Sequence, residues 1–286
     1  TRAPSAGGLG FDYKWDLGWM NDTLKYFQED PVYRQYDSHF ITFSMAYFYS
    51  ERFLLEFSHD EVVHGKATII NKMWGLHGDK LAQVKALYVY MMLHPGKKLG
   101  NEPAEYKEWD ESKSLGWDIL KYPDHDAFHH FTQKLNEIYL KYPALYEMDY
   151  DLKGFEWLVV DDHDQCVFAI ERKDKAGNAI IAVMNFVGNT HEKYKVPVNI
   201  EGSYKEILNT DQAVYSGKNI VNPRAIRSKK TKLNEKTKLL NKDHYIEVKL
   251  APFSACIFEV KPKKGTTKKT TKKTPKKTKR VIKKTK

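Results

Sequence analysis

Cysteine is scarce: Cys166 and Cys256 are the two in a chain of 286 residues. Two cysteines do not make a disulfide framework, so a reducing compartment, the cytoplasm, is the expectation. No apolar run reaches the roughly 18 residues that a membrane span needs, and the N-terminus has no signal-like apolar block. The sequence opens on Thr1 rather than Met, which reads as a processed or partial product. No internal repeat is visible.

Acid is missing from one region. Residues 261–286 hold 14 Lys plus Arg and no Asp or Glu, so of the net charge of +10 the remaining 260 residues carry −4. This Lys/Thr-rich tail has too few apolar residues to offset the entropy of ordering and is expected to be disordered. It reads as a solvated segment or as an arm that binds polyanions nonspecifically. It has no aromatic residue, which excludes base stacking.

What is present supports a large core. The chain is 41% hydrophobic and 13% aromatic, with 18 Tyr and 6 Trp. Rings at that density are first of all core material, and only second a surface for sugars or bases. Residues 10–15, GFDYKW, alternate and read as a short strand. Asn21 or Asp22 is expected to cap a helix through Leu24, Tyr26 and Phe27, which Pro31 limits. Residues 52–57 read as the next strand. Residues 79–94 and 128–142 show helical apolar spacing, the first stopped by Pro95-Gly96. Beyond about residue 150 the texture changes to short β-rich runs at 155–160, 166–170, 179–183, 245–250 and 255–260, the spacing of a β-sandwich.

The stretch FSHDEVVHG (57–65) places His59, Asp60 and Glu61 at the end of an apolar strand. Strands alternating with helices favour a parallel sheet or a (β/α)8 barrel, whose chemistry sits at strand C-terminal ends. A zinc site fails on spacing: His64 is five residues after His59, off its face on a helix. A phosphate loop fails for want of glycines. Glycosidic chemistry fits better, because carboxylates stabilise its oxocarbenium-like transition state. Simple helix capping by Ser58 or Asp60 stands as the alternative.

FSHDEVVHGK, together with GGLGFDYKWDLGWMNDTLKYF, DPVYRQYDSHFITFSMAYFYSERFLLEFSHDEVVHG, HPGKKL, EYKEWDES, ALYEMD and GFEW, resembles the 1,4-α-glucan (glycogen or starch) branching enzymes of the α-amylase superfamily. These motifs run in the same order over residues 7–260. The resemblance implies the late strands of an incomplete (β/α)8 barrel over residues 1–150, a C-terminal β-sandwich over 151–260, and the tail over 261–286. It implies a retaining glycosyltransferase that cuts an α-1,4 linkage and moves the chain to a 6-hydroxyl, with no cofactor and no metal. The partner it implies is an α-glucan such as amylose, glycogen or starch. Position by position, Asp60 matches the carboxylate that stabilises the transition state, and His59 the histidine that hydrogen-bonds the sugar. Tyr13 and Trp15 are expected to line the groove or to pack in the barrel.

A retaining mechanism needs a nucleophile and an acid/base about 5 Å apart. The resemblance places both on earlier strands, and neither signature occurs in this chain, so it is expected to be inactive alone. After Lys97-Lys98-Leu99 the family's apolar run is missing, and Pro103-Ala104-Glu105 stands where Phe-Gly-Gln is usual. Gly116 replaces a usual Asp. The last barrel strand is therefore expected to be a stub, and the open barrel to expose sheet edges and apolar faces. A non-catalytic glucan-binding or relic protein is the second reading.

Overall fold

The computed structural model describes residues 6–99, 104–235 and 239–263. The disorder expected of the tail therefore falls almost wholly outside the described residues. The first half is built on a three-stranded parallel sheet in the order β1 (Lys14–Trp15), β2 (Phe53–Glu56), β3 (Lys97–Leu99). Among the described residues β3 covers Lys97–Leu99, and the positions after it where the stub is expected, 100–103, lie outside them. Among the described residues the sheet does not close and β1 is an edge strand, beside which Leu9, Phe11, Trp15 and Leu17 are exposed.

Helix α1 (Leu17–Gln28) follows β1 directly. Its cap is Asp16, whose Oδ1 accepts from the Trp19 amide at 3.0 Å. That corrects the expected cap at Asn21 or Asp22. The single polar residue between strand and helix satisfies the orphan amide, so the helix starts earlier. Trp19, Met20, Thr23, Leu24, Tyr26 and Phe27 form its buried stripe. The apolar stretch after it breaks into short turns around α2 (His39–Thr42). Helix α3 (Ile69–Lys72) is a single turn, and α4 (His77–Leu93) is the central helix. At Gly96, φ is +106°, and a Cβ would lie 2.9 Å from Phe48 Cζ and 3.0 Å from Phe53 O. Only glycine turns the chain from α4 into β3 there. Helix α5 (Pro123–Lys141) carries proline at its first position, where the missing N–H costs nothing.

The second half is antiparallel. Strands β4 (Phe155–Asp162), β5 (Val167–Lys173), β6 (Ala179–Asn185), β7 (His191–Val198) and β8 (Gly202–Asn209) are followed by the short β9 (Ile226–Arg227) and β10 (Lys229–Lys230), then β11 (His244–Leu250) and β12 (Ser254–Pro262). They form a six-stranded sheet, β4-β5-β6-β12-β8-β9, and a three-stranded one, β10-β11-β7. Leu158, Val167, Ala169, Ile181, Val183, Cys256 and Phe258 face the smaller sheet, against Val196, Ile246 and Val248. The alternate residues Phe168, Ile170, Ile180, Ala182, Met184 and Ile257 turn the other way, into the same core as Tyr26, Phe27, Leu87 and Met91. The six-stranded sheet is thus a wall with both faces covered. Helix α4 lies against β6 and β12.

Two buried arginines cross this contact. Arg34 donates from Nη1 to Phe186 O at 2.6 Å, and from Nη2 to Phe27 O at 3.0 Å and Gln83 Oε1 at 2.6 Å. Its Nε donates to Glu29 O at 3.2 Å. Arg172 pairs with buried Asp149 at 2.8 Å, and donates to Leu93 O and Gly154 O, each at 3.0 Å. Among the described residues no helix is long and apolar enough to cross a membrane.

Candidate active site

Strand β2 is the middle strand of the parallel sheet, and its C-terminal end opens into the turn Ser58–Val62. Phe53, Leu55 and Phe57 point into the helical core, so the strand is held from one side by apolar contact. Ser58 accepts from the Asp60 amide at 3.2 Å and caps a short 3₁₀ turn, His59–Val62. The capping alternative is therefore met by Ser58, and it leaves the next two side chains unspent. His59 and Asp60 are 52% and 56% exposed, with His59 Nε2 at 3.5 Å from Asp60 Oδ1.

The loop carrying them is tied down at several points. His64, Gly65 and Ala67 have φ of 57°, 79° and 66°, an unusual run of left-handed residues. Glu108 accepts from the amides of Gly65 at 2.8 Å and Ala67 at 2.7 Å, and these bonds hold its carboxyl below the usual range. Lys72 Nζ donates to Glu61 O at 3.0 Å and Ala67 O at 2.6 Å, and burial lowers its pKa. Lys66 Nζ donates to Asp60 O at 2.7 Å. Trp109 donates its amide to Val62 O at 2.9 Å, and its ring lies 4.5 Å from the His59 ring, centroid to centroid. The result is a pre-positioned histidine and carboxylate beside an aromatic face, open to solvent. Such a set can hydrogen-bond hydroxyls and stabilise positive charge.

Trp109 was not singled out by the sequence reasoning. Its signal was an aromatic residue inside the charged motif EYKEWDES. The two expected groove residues flank Lys14 beside the start of β2. Trp15 ends β1 and pairs with Leu54, one position further along β2 than Lys14 with Phe53. Tyr13 precedes β1, and Lys14 pairs with Phe53 at the start of β2, so Tyr13 sits at the opposite end of the sheet from Asp60. Tyr13 instead meets Tyr150, at 6.1 Å between centroids.

Two further carboxylates lie behind the turn, also missed in sequence. Glu56 and Asp16 are both buried. Asp16 accepts from Tyr47 Oη at 2.7 Å, but its Oδ2 and both Glu56 carboxylate oxygens have no hydrogen-bond partner among the described residues. Burial, with Asp16 adding like charge, pushes Glu56 up to about 7. Burial also raises Asp16, against the bonds from Trp19 and Tyr47. A raised folded pKa favours the protonated form. Glu56 therefore imposes no penalty below the pKa of the unfolded chain, a growing one as pH rises toward 7, and a constant one above. A pKa unit is worth ~1.4 kcal/mol, and solvent screening reduces the whole effect to about 2 kcal/mol. Glu56→Gln is expected to gain that much at pH 8 and nothing at pH 4. Denaturant titrations at the two pH values check it; an equal effect at both would contradict the assignment.

Residues 157–261 match the family described as alpha amylase, C-terminal all-beta domain. Among solved structures, the fold is similar to a debranching enzyme from Nostoc punctiforme, with a TM-score of 0.56, 13% identity, 87% of this chain and 48% of that chain covered. Its native form gives 0.53, with 12% identity over 87% and 48%. An alpha-amylase from H. orenii gives 0.47, with 13% identity over 88% and 49%. This chain thus spans about half the length of the solved structures it matches. At such identities the likeness to the debranching enzyme shows the fold, part of a (β/α) barrel with a β-sandwich behind it. The family match itself is confined to residues 157–261, the β-sandwich.

Proposed function

We propose that this chain is the C-terminal portion of a glucan branching enzyme, a retaining glycosyltransferase that cuts an α-1,4 linkage and transfers the released chain to a 6-hydroxyl. The observation that carries the reading is the exposed His59–Asp60 pair on a braced turn at the C-terminal end of β2, with Trp109 beside it. In this reading Asp60 stabilises the oxocarbenium-like transition state, and His59 donates a hydrogen bond to a ring hydroxyl. The nucleophile and the acid/base are supplied by polypeptide outside these residues. Asp60 fills one of three carboxylate roles and cannot fill the other two. Domain limits at about residues 150 and 260 belong to the same proposal, as does an α-glucan partner. Binding needs no cofactor.

The test is a branching assay on amylose, followed by debranching to size transferred chains. The isolated chain is expected to form no α-1,6 branches. In a protein that also contains the upstream strands, Asp60→Asn is expected to lower turnover about 10²-fold or more, the scale of losing one preorganised electrostatic group. Turnover within tenfold of the parent would remove Asp60 from its role. A glucan-binding protein without catalysis is the second reading, favoured by the solitary Asp60. Co-sedimentation with glycogen in the absence of turnover by any longer form would select it.

A further inference from the structure

Helices α4 and α5 begin beside the loop that follows β8, and between them lies a cleft of about 280 Å³. Its floor is apolar, because Leu81, Phe128, Tyr215 and Phe253 are all buried. Gly78, Ser216 and Lys218 are exposed at its rim. Lys85 of α4 lines the same cleft and is only 5% exposed. Its Nζ donates to Tyr215 O at 2.6 Å. That carbonyl belongs to the 3₁₀ turn Ala213–Tyr215, and the Tyr215 ring is fixed edge-on to Phe131, 5.6 Å between centroids. Among the described residues the Lys85 ammonium has no second hydrogen bond and no ion pair. Asp79, Asp124 and Asp211 also line the cleft, but their carboxylates are turned to other partners: the Leu76 amide, His77 Nε2, and the amides of Lys218 and Ile220.

An ammonium carries three N–H donors, and Lys85 spends one. Leaving the others unpaired in an apolar wall is costly. Burial accordingly brings the group down to about 8, against the attraction of Asp211 and Asp124, so some neutral amine is present near neutral pH. We infer that Lys85 is a carbonyl-trapping lysine, whose amine condenses with a small uncharged aldehyde carrying an apolar tail. The product is a protonated imine, which has one N–H and one positive charge. Tyr215 O is the one acceptor that this N–H needs. Asp211 and Asp124 act on the charge from beyond ion-pair distance, and the apolar floor takes the tail. The three carboxylates disfavour an anionic electrophile. A volume of about 280 Å³ is at the low end for small-molecule sites, which limits the tail to a few carbons. In the step, neutral Nζ attacks the aldehyde carbon and a C–N bond forms. The carbonyl oxygen collects one proton from that nitrogen and one from solvent, the one the ammonium had given up, and leaves as water. Ammonium and aldehyde thus become iminium and water, with no oxidant or reductant. Desolvated lysines are the usual partners in such condensations.

The probe is hexanal, given to the chain at neutral pH with sodium cyanoborohydride, which reduces any iminium to a stable secondary amine. Peptide mass spectrometry then reads the labelling rate of each lysine. Lys85 is expected to react about tenfold faster than the exposed Lys121 and Lys205, on the scale of an amine activated by desolvation. The exposed lysines serve as controls within the same sample, so no variant has to fold. In urea, where the cleft is lost, the rates are expected to converge. Glyoxylate, an aldehyde with its own carboxylate, is expected to show no preference for Lys85. Labelling of Lys85 by hexanal no faster than of the exposed pair would overturn the inference, as would a preference that persists in urea. Equal preference for glyoxylate would overturn the uncharged class of ligand.

Discussion

Arg34→Ala is expected to cost about 4 kcal/mol and to lower the melting temperature by about 10 °C. The Arg34 guanidinium is fully buried, and burial lowers its pKa only to about 10, so it stays charged at neutral pH. Its bonds run to backbone carbonyls of Phe27, Glu29 and Phe186 and to the Gln83 side chain. Alanine would leave those acceptors unpaired in the core, each costing ~1–3 kcal/mol before relaxation, and would open a cavity beside Tyr26, Phe27 and Phe253, the rings it packs against. Arg34→Lys keeps the charge but not the fork, and is expected to recover less than half of the loss. Chemical denaturation of the variants decides the matter. A loss under 1 kcal/mol for alanine would mean that water replaces the guanidinium and that Arg34 does not hold the joint.

Arg172→Met is the second large effect. It strands the Asp149 carboxylate, whose side chain is 1% exposed and which then keeps the looser ion pair with Lys97, at 3.5 Å. Breaking a buried pair from one side typically costs ~3–5 kcal/mol, because the remaining charge has no partner. Replacing both partners by apolar residues of similar size removes that uncompensated charge. Arg172→Met/Asp149→Leu is therefore expected to be more stable than Arg172→Met alone by about 2 kcal/mol or more. A double-mutant cycle measured by thermal unfolding reads the coupling directly. Additive losses would show that Arg172 acts through Leu93 O and Gly154 O rather than through Asp149.

These two residues also mark what the sequence hides. Arg34 lies in DPVYRQYD and Arg172 in ERKDK, stretches whose local composition is that of solvated turns and strand ends. Nothing local distinguishes a buried arginine from an exposed one, because Phe186 O and Gln83 Oε1 for Arg34, and Leu93 O and Asp149 for Arg172, lie far along the chain. Glu56 is hidden in another way: within FLLEF it reads as a polar interruption of a strand, and its burial depends on what packs across the sheet. The polar turn after β2 was legible because three ionisable residues end an apolar strand there. Five of the sandwich strands, β4, β5, β6, β11 and β12, were legible as well, whereas β7 to β10 were not. The unbroken run Ala179–Met184 carried more than was taken from it: a strand without alternation is buried on both faces, as β6 is. The early start of α1 was missed because one residue, Asp16, serves as both strand exit and helix cap.

The wall formed by the six-stranded sheet bears on how this chain can be divided. A cut near residue 150 falls between the two sequence textures, but it would strip the helices from Phe168, Ile170, Met184 and Ile257 and lay that face open to water. The covalent seam and the seam in the packing are in different places. A β-sandwich taken alone would carry a sticky apolar side, and the parallel strands taken alone would lose their floor. For the same reason the wall is a lever: repacking it would shift α4, the helix that runs down to Pro95 and β3, and so the strand lying beside the His59–Asp60 turn.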